Sequence, residues 1–420
     1  MNADGLNLKS CCHVNTDEDG DRFVGIKADG GGVSVRFPMG YRLPDGEEEL
    51  RQDILLLLSV LSEFGTEQGR LQQNGRLETP RAANFPISAY MTMIRRYLSQ
   101  NAYYAERETV RRVSDRGKID WAASLRRNVS FVEEDGTPRF SRYTVRGAVP
   151  NEESLLTRIH KYCVYVSFKR LGWLFTKYLP PNPRVENRRE LFLYALRKKL
   201  NRTHVEGEKE LFQSMIAILE HLDASETDER FYFGTERFEY VWEKLIDGVF
   251  GAADKKDYFP HTYWTLKYAK TRRNAALQPD SVMIYDGKIY VLDAKYYRYG
   301  ITNNPAHLPE SSSVNKQITY AEYISQRSAG ARYGVFNAFL MPFDRAENAF
   351  ETNKTFAVVG EASADWKTGG RDYERVFGVV IDTRSLMRFY YEAHESKIKE
   401  LAETIDRALS ESKGRVPGAD

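Results

Sequence analysis

Cysteine is scarce in this chain, with three in 420 residues. Cys11, Cys12 and Cys163 are too few and too badly spaced for a disulfide framework or a zinc site, so a reducing cytoplasm is expected. Cys11-Cys12-His13 is read as part of a loose N-terminal segment. No apolar run approaches the roughly 18 residues of a membrane-spanning helix. The first residues are polar and acidic, unlike a secretory signal. Charge of one sign is lacking too, because the net value is only +2. A protein held to nucleic acid by phosphate contact alone would be more basic. A nucleotide-cradling Gly-x-x-x-x-Gly-Lys-Ser/Thr loop is missing, since Gly117-Lys118 and Gly287-Lys288 are each followed by Ile. There is no internal repeat.

What is present concentrates between Gln278 and Lys295. Pro279-Asp280 leads into the apolar run Ser281–Tyr285, then Asp286-Gly287, then Lys288–Leu292 and Asp293-Ala294-Lys295. Two apolar runs flanking Asp-Gly predict a β-hairpin. With a two-residue loop, Tyr285 pairs with Lys288, and counting outward sets Asp280 opposite Asp293. Opposed residues share a face with Cβ atoms about 5 Å apart. Strand period places Lys295 on that face as well. Leu292 and Ala294 then face the core and leave Asp293 and Lys295 at the rim.

Two carboxylates and an ammonium on one patch suit phosphodiester hydrolysis. Mg²⁺ takes oxygen ligands from one or two carboxylates, water and substrate phosphate. Lys295 can orient the water, accept its proton if its pKa is lowered, or offset transition-state charge. An acidic-x-Lys triplet alone means little: Asp254-Lys255-Lys256, Asp365-Trp366-Lys367 and Glu395-Ser396-Lys397 also occur. A surface hairpin with a salt bridge is the competing reading. Against it, an aspartate inside an Ile-Tyr-Val-Leu run is costly unless paired or bound to a cation.

Pro279-Asp280…Asp293-Ala294-Lys295 resembles the PD-(D/E)xK nuclease motif, and its surroundings resemble the LlaJI restriction endonucleases and related McrC nuclease subunits. Phe238–Glu243, Leu308-Pro309 with Lys316–Tyr320, Asn337–Pro342, Phe377–Asp382, Phe37–Tyr41 and Gly117–Trp121 fit the same resemblance. It implies that Asp280 and Asp293 bind metal, Mg²⁺ with Mn²⁺ as a substitute, and that Lys295 is the catalytic lysine. It matches Glu239 to the upstream helix acid, with Glu243 as rival one turn on. Gln317 and Tyr320 match a helix that helps hold the site or the DNA. It further implies a separate McrB-like AAA+ GTPase partner and double-stranded DNA as substrate. Lys267, Lys270, Arg272 and Arg273, just ahead of Asp280, are candidates for DNA-backbone contact. Cutting both strands suggests a transient homodimer.

The expected fold is α+β: a mixed-sheet, restriction-endonuclease-like nuclease domain preceded by an α+β domain. The expected division is a docking or DNA-reading module at 1–150, a helical connector at 151–228, the nuclease at 229–410 and a disordered tail at 411–420. A hairpin is expected at 23–37 and helices at 45–64, 86–98, 187–200, 208–222, 236–250, 314–326 and 392–409, with a further helix capped by Asn151. Strands are expected at 335–340 and 376–381.

Overall fold

The computed structural model describes residues 8–29, 32–72, 85–134, 136, 138–140, 142–222, 231–327, 334–367 and 370–413. The expected tail therefore lies mostly outside the described residues, and the last helix runs to Lys413. The fold is mixed α+β, with several sheets. Two compact units form, one from 86–229 and the other from 7–85 joined with 230–420. Residues 7–85 thus group with 230–420 rather than with 86–150.

Residues 86–229 contain a three-stranded antiparallel sheet ordered Glu106–Ser114, Tyr143–Asn151, Lys118–Ile119. Four longer helices, Ile87–Gln100, Leu155–Leu171, Arg189–Leu200 and Glu206–His221, complete it. The expected cap moves: Asn151 ends a strand, and Ser154 caps the helix by accepting from the Thr157 amide. Asp120, buried, accepts hydrogen bonds from Arg111 and Arg146 and caps the short helix Trp121–Arg127.

The other unit is built on two sheets. In the first, Val24–Asp29 and Gly32–Phe37 form the expected hairpin, flanked by Cys12–Val14 and Phe231–Thr235. Cys11 and Cys12 are buried, and Cys12 pairs with Val35, so this segment is anchored rather than loose. Phe85 and Phe231 stack with ring centroids 4.4 Å apart. In the second sheet the order is Ser281–Tyr285, Lys288–Ala294, Val335–Phe343, Val376–Asp382, Phe356–Ala362. The middle three strands are parallel and both edges are antiparallel. Every residue of Val335–Phe343 is buried, as expected of a parallel strand covered on both faces. Helix Ser311–Gln326 connects two of the parallel strands and packs Tyr320, Ala321 and Ile324 on Val282, Ile289 and Val291. Helix Phe238–Phe250 buries Trp242, Leu245, Ile246 and Val249, and the Trp242 indole donates to the Leu340 carbonyl at 3.1 Å.

The turn Phe37–Tyr41 closes onto the end of this sheet. Gly40 has φ +73°, and a Cβ there would sit 3.0 Å from the Phe343 amide, so only glycine fits without displacement. Thr383 donates to the Met39 carbonyl at 3.1 Å, and the Met39 amide donates to the Tyr296 hydroxyl at 2.7 Å. Nearby, the buried Asp53 of helix Glu47–Gln72 is held by Arg384 at 2.7 Å and Arg388 at 3.0 Å. A buried carboxylate is tolerable only when its oxygens are satisfied in this way. No helix among the described residues is long and apolar enough to cross a membrane.

Candidate active site

Asp286 and Gly287 have φ of +46° and +70°, both positive as a two-residue type I′ loop requires. The turn sets the register from Tyr285 opposite Lys288 to Ser281 opposite Leu292. The next step outward brings Asp280 to Asp293. An Asp280 carboxylate oxygen accepts the Ala294 amide at 2.9 Å. Lys295 lies 2.7 Å from an Asp293 carboxylate oxygen, and its backbone amide continues the parallel ladder to Leu340.

Asp293 is not at a rim. It is 2% exposed, because helices cover both faces of the strand. Burial, reinforced by the charge and hydrogen bonding of Asp293 and by Glu243, pushes the Asp280 carboxyl up to about 7 despite the Ala294 amide. Two carboxylates this close do not both ionise easily. Burial works against the Lys295 ammonium, but Asp293 outweighs it and the net shift is upward. Lys295 thus stays protonated at neutral pH in this arrangement, which favours orienting and charge-offsetting roles over proton acceptance.

The two helix acids separate. Glu239 pairs with Arg237 at 3.0 Å. Glu243 is the one whose carboxyl feels the site: burial and the charge of Asp293 push it up, while Lys295 pulls it down. Docking of the helix through Trp242 sets which turn meets the hairpin, and this is not encoded in the Phe-Glu pair that pointed to Glu239. Gln317 and Tyr320 serve the backbone. The Gln317 amide donates to the Val291 carbonyl at 2.6 Å, and the Tyr320 hydroxyl to the Gln278 carbonyl at 3.3 Å. Gln317 holds the second strand of the hairpin, and Tyr320 holds the segment leading into the first. Tyr296 went unmarked in the sequence. Its anchorage to Met39 fixes the chain directly after Lys295, and the only available signal was the Phe37–Tyr41 segment.

Beyond Lys295 the chain lines an open cleft of about 790 Å³ that includes Arg22, Arg237, Glu239, Tyr297, Arg298 and His307. Lys267 and Lys270 fall between the ribbon strands His261–Trp264 and Arg272–Ala276, and Arg272 and Arg273 open the second of them; all four are exposed.

Among the described residues, no three His, Cys, Asp or Glu side chains cluster closely enough to hold a metal as they stand. A cation here would rest on Asp280 and Asp293 and complete its shell with water and substrate oxygens, the habit of Mg²⁺. The raised Asp280 carboxyl fits that role, since a divalent cation relieves the repulsion that otherwise retains a proton.

No curated protein matches this chain. A chain of a solved assembly of Thermococcus gammatolerans McrB AAA+ hexamers with bound McrC is 15% identical, over 92% of this chain and 83% of its own, with a TM-score of 0.38. The model of the LlaJI restriction endonuclease family matches residues 23–366. That match runs through the N-terminal hairpin, the whole 86–229 unit and the Asp280–Lys295 hairpin, and the chain belongs to the LlaJI restriction endonuclease family.

Proposed function

We propose that this chain is the Mg²⁺-dependent DNA-cleaving subunit of a restriction system, with Asp280, Asp293 and Lys295 as its centre. The observation that carries the reading is the close approach of the Asp280 and Asp293 carboxyls, with Lys295 2.7 Å from the latter. Asp280 and Asp293 would hold the cation, which when bound supplies an acidified water and screens the attacked phosphate, with Mn²⁺ able to replace it. The Ala294 amide fixes one face of Asp280, so its carboxylate cannot swing away. The Lys295 ammonium steadies the attacking water and offsets charge growing on the phosphate. Glu243 adds negative potential that draws the cation in. Products carry 5′-phosphate and 3′-hydroxyl ends, and a transient homodimer would bring a second site to the other strand.

The chain lacks a nucleotide-cradling loop, and its resemblance to McrC-like subunits supports a separate McrB-like AAA+ GTPase as partner. We assign docking to residues 86–229. This unit exposes Trp121, Leu125, Val129 and Phe131, an apolar group unusual on a free surface.

Plasmid cleavage with Mg²⁺ tests the reading, comparing the chain with Asp280→Ala, each with and without the GTPase and GTP. Cutting that needs Asp280, the partner and GTP is expected. Cutting by the chain alone would remove the partner from the proposal, and cutting by Asp280→Ala would remove the site. In the same assay Glu243→Gln is expected to slow cleavage by about tenfold or more through the lost field at the cation. Glu239→Gln is expected to change little, and equal effects of the two would contradict their separate placement.

A further inference from the structure

The ribbon His261–Ala276 carries chemistry that the cleavage centre does not use. Tyr263 pairs with Arg273 and Trp264 with Arg272, in antiparallel register. Neighbouring residues point to opposite faces, so each face presents one ring beside one guanidinium. Neither face is covered: Tyr263 and Trp264 are each 60% exposed, and Tyr268, in the connecting loop, is 90% exposed. Arg273 lies over the Tyr263 ring at 5.9 Å and Lys267 over the Tyr268 ring at 5.3 Å. Residues 261–276 contain Lys267, Lys270, Arg272 and Arg273 and no acidic residue, in a chain whose net charge is only +2.

A two-stranded ribbon gains little stability by itself, and three exposed rings contribute nothing to its core. Flat apolar surfaces alternating with cations match a polymer of bases and phosphates. The ribbon is also fastened to the site. The Leu277 amide donates to the Pro260 carbonyl at 2.8 Å, closing its base. Gln278, next in the chain, is tied to Tyr320, and Asp280 follows two residues later.

We propose that this ribbon is a DNA-strand arm, in which Trp264 and Tyr268 stack on bases of a locally unpaired strand while Arg272, on the Trp264 face, holds its phosphates and Arg273, on the other face, adds to the positive field. The proposal rests on the nuclease reading and adds a substrate feature to it. Ring stacking needs base faces, which an intact duplex hides, whereas phosphates are reachable in either form. The arm would therefore prefer DNA whose strands are opened beside the cut.

The test uses full-length protein carrying Asp280→Asn, so that the DNA survives. Fluorescence anisotropy reads binding to a labelled duplex and to the same duplex with a short central bubble, over a range of KCl. Adding Trp264→Ala with Tyr268→Ala is expected to weaken bubble binding by about tenfold or more, with little effect on the closed duplex and an unchanged salt slope. Trp264→Phe should keep bubble binding. Arg272→Ala with Arg273→Ala should weaken binding to both DNAs and reduce the salt slope by about 1 to 2. Unchanged bubble binding by the aromatic double variant, or equal losses on both DNAs, would overturn the stacking arm and leave the nuclease reading standing. A parent protein that binds neither DNA would overturn both.

Discussion

Lys295→Met is expected to lower DNA cleavage by about a hundred- to a thousandfold, the usual loss when one preorganised charge is taken from a transition state. Methionine keeps the reach of the side chain and deletes the ammonium. Two consequences must be separated. The first is chemical: the water and the phosphate lose the ammonium that sits beside Asp293. The second is structural: Asp293, 2% exposed, loses its partner at 2.7 Å. Breaking a buried pair on one side costs about 3–5 kcal/mol unless the remaining group takes up a proton. The double variant Lys295→Met with Asp293→Asn removes both charges and should recover much of that stability while remaining inactive. Single-turnover cleavage and thermal unfolding, run on the same preparations, distinguish the two. Near-normal cleavage by Lys295→Met would sink the assigned role.

The second large effect concerns pH. Asp280 has an ordinary value of 3.8 and is pushed up to about 7 in the fold. The folded state therefore binds the proton more tightly than the unfolded chain. Stability from this group is highest below about 4, declines as pH rises, and is fully lost above about 7. Metal-free protein should show a falling unfolding temperature across that window. Asp280→Asn, which cannot ionise, should flatten the profile and be more stable than the parent at pH 8, though inactive. Added Mg²⁺ should raise the unfolding temperature of the parent more at pH 8 than at pH 5, because it replaces the missing proton. A parent profile identical to that of Asp280→Asn would show that Asp280 is not held in this environment. The trade is common in nuclease-like sites, where repulsion between ligands is retained because a cation resolves it.

Much of this site was legible in the sequence because its geometry is local. Asp286-Gly287 fixes a turn with both φ positive, the turn fixes the register, and the register brings Asp280 to Asp293. Amphipathic helices such as Phe238–Phe250 and Ser311–Gln326 were likewise found to within a few residues by their period. Non-local pairing was not legible. Phe231–Thr235 pairs with Val24–Ala28 across some two hundred residues, and no turn or spacing records that choice. The edge strand Phe356–Ala362 escaped as well: its apolar run stops at Gly360-Glu361, and only Phe356 is buried. Helix placement was the third gap. Glu239 and Glu243 lie one turn apart on the same face, and what separates them is position along the helix: Arg237 takes the first, while Asp293 and Lys295 act on the second. The buried state of Asp293 belongs with these, since cover by a helix is a tertiary fact.

The stacked rings of Phe85 and Phe231 mark where the chain leaves the nuclease unit and where it returns. Exit and re-entry are thus neighbours, the arrangement that lets one domain be spliced into another without breaking its host. In evolutionary terms, 86–229 is a cassette. If docking resides there as proposed, a lineage could exchange it for another while the hairpin of Asp280 and Asp293 is inherited intact. The same economy is open to an engineer, who can bridge residues 85 and 231 with a short linker and ask whether the unit of 7–85 and 230–420 folds without its insert.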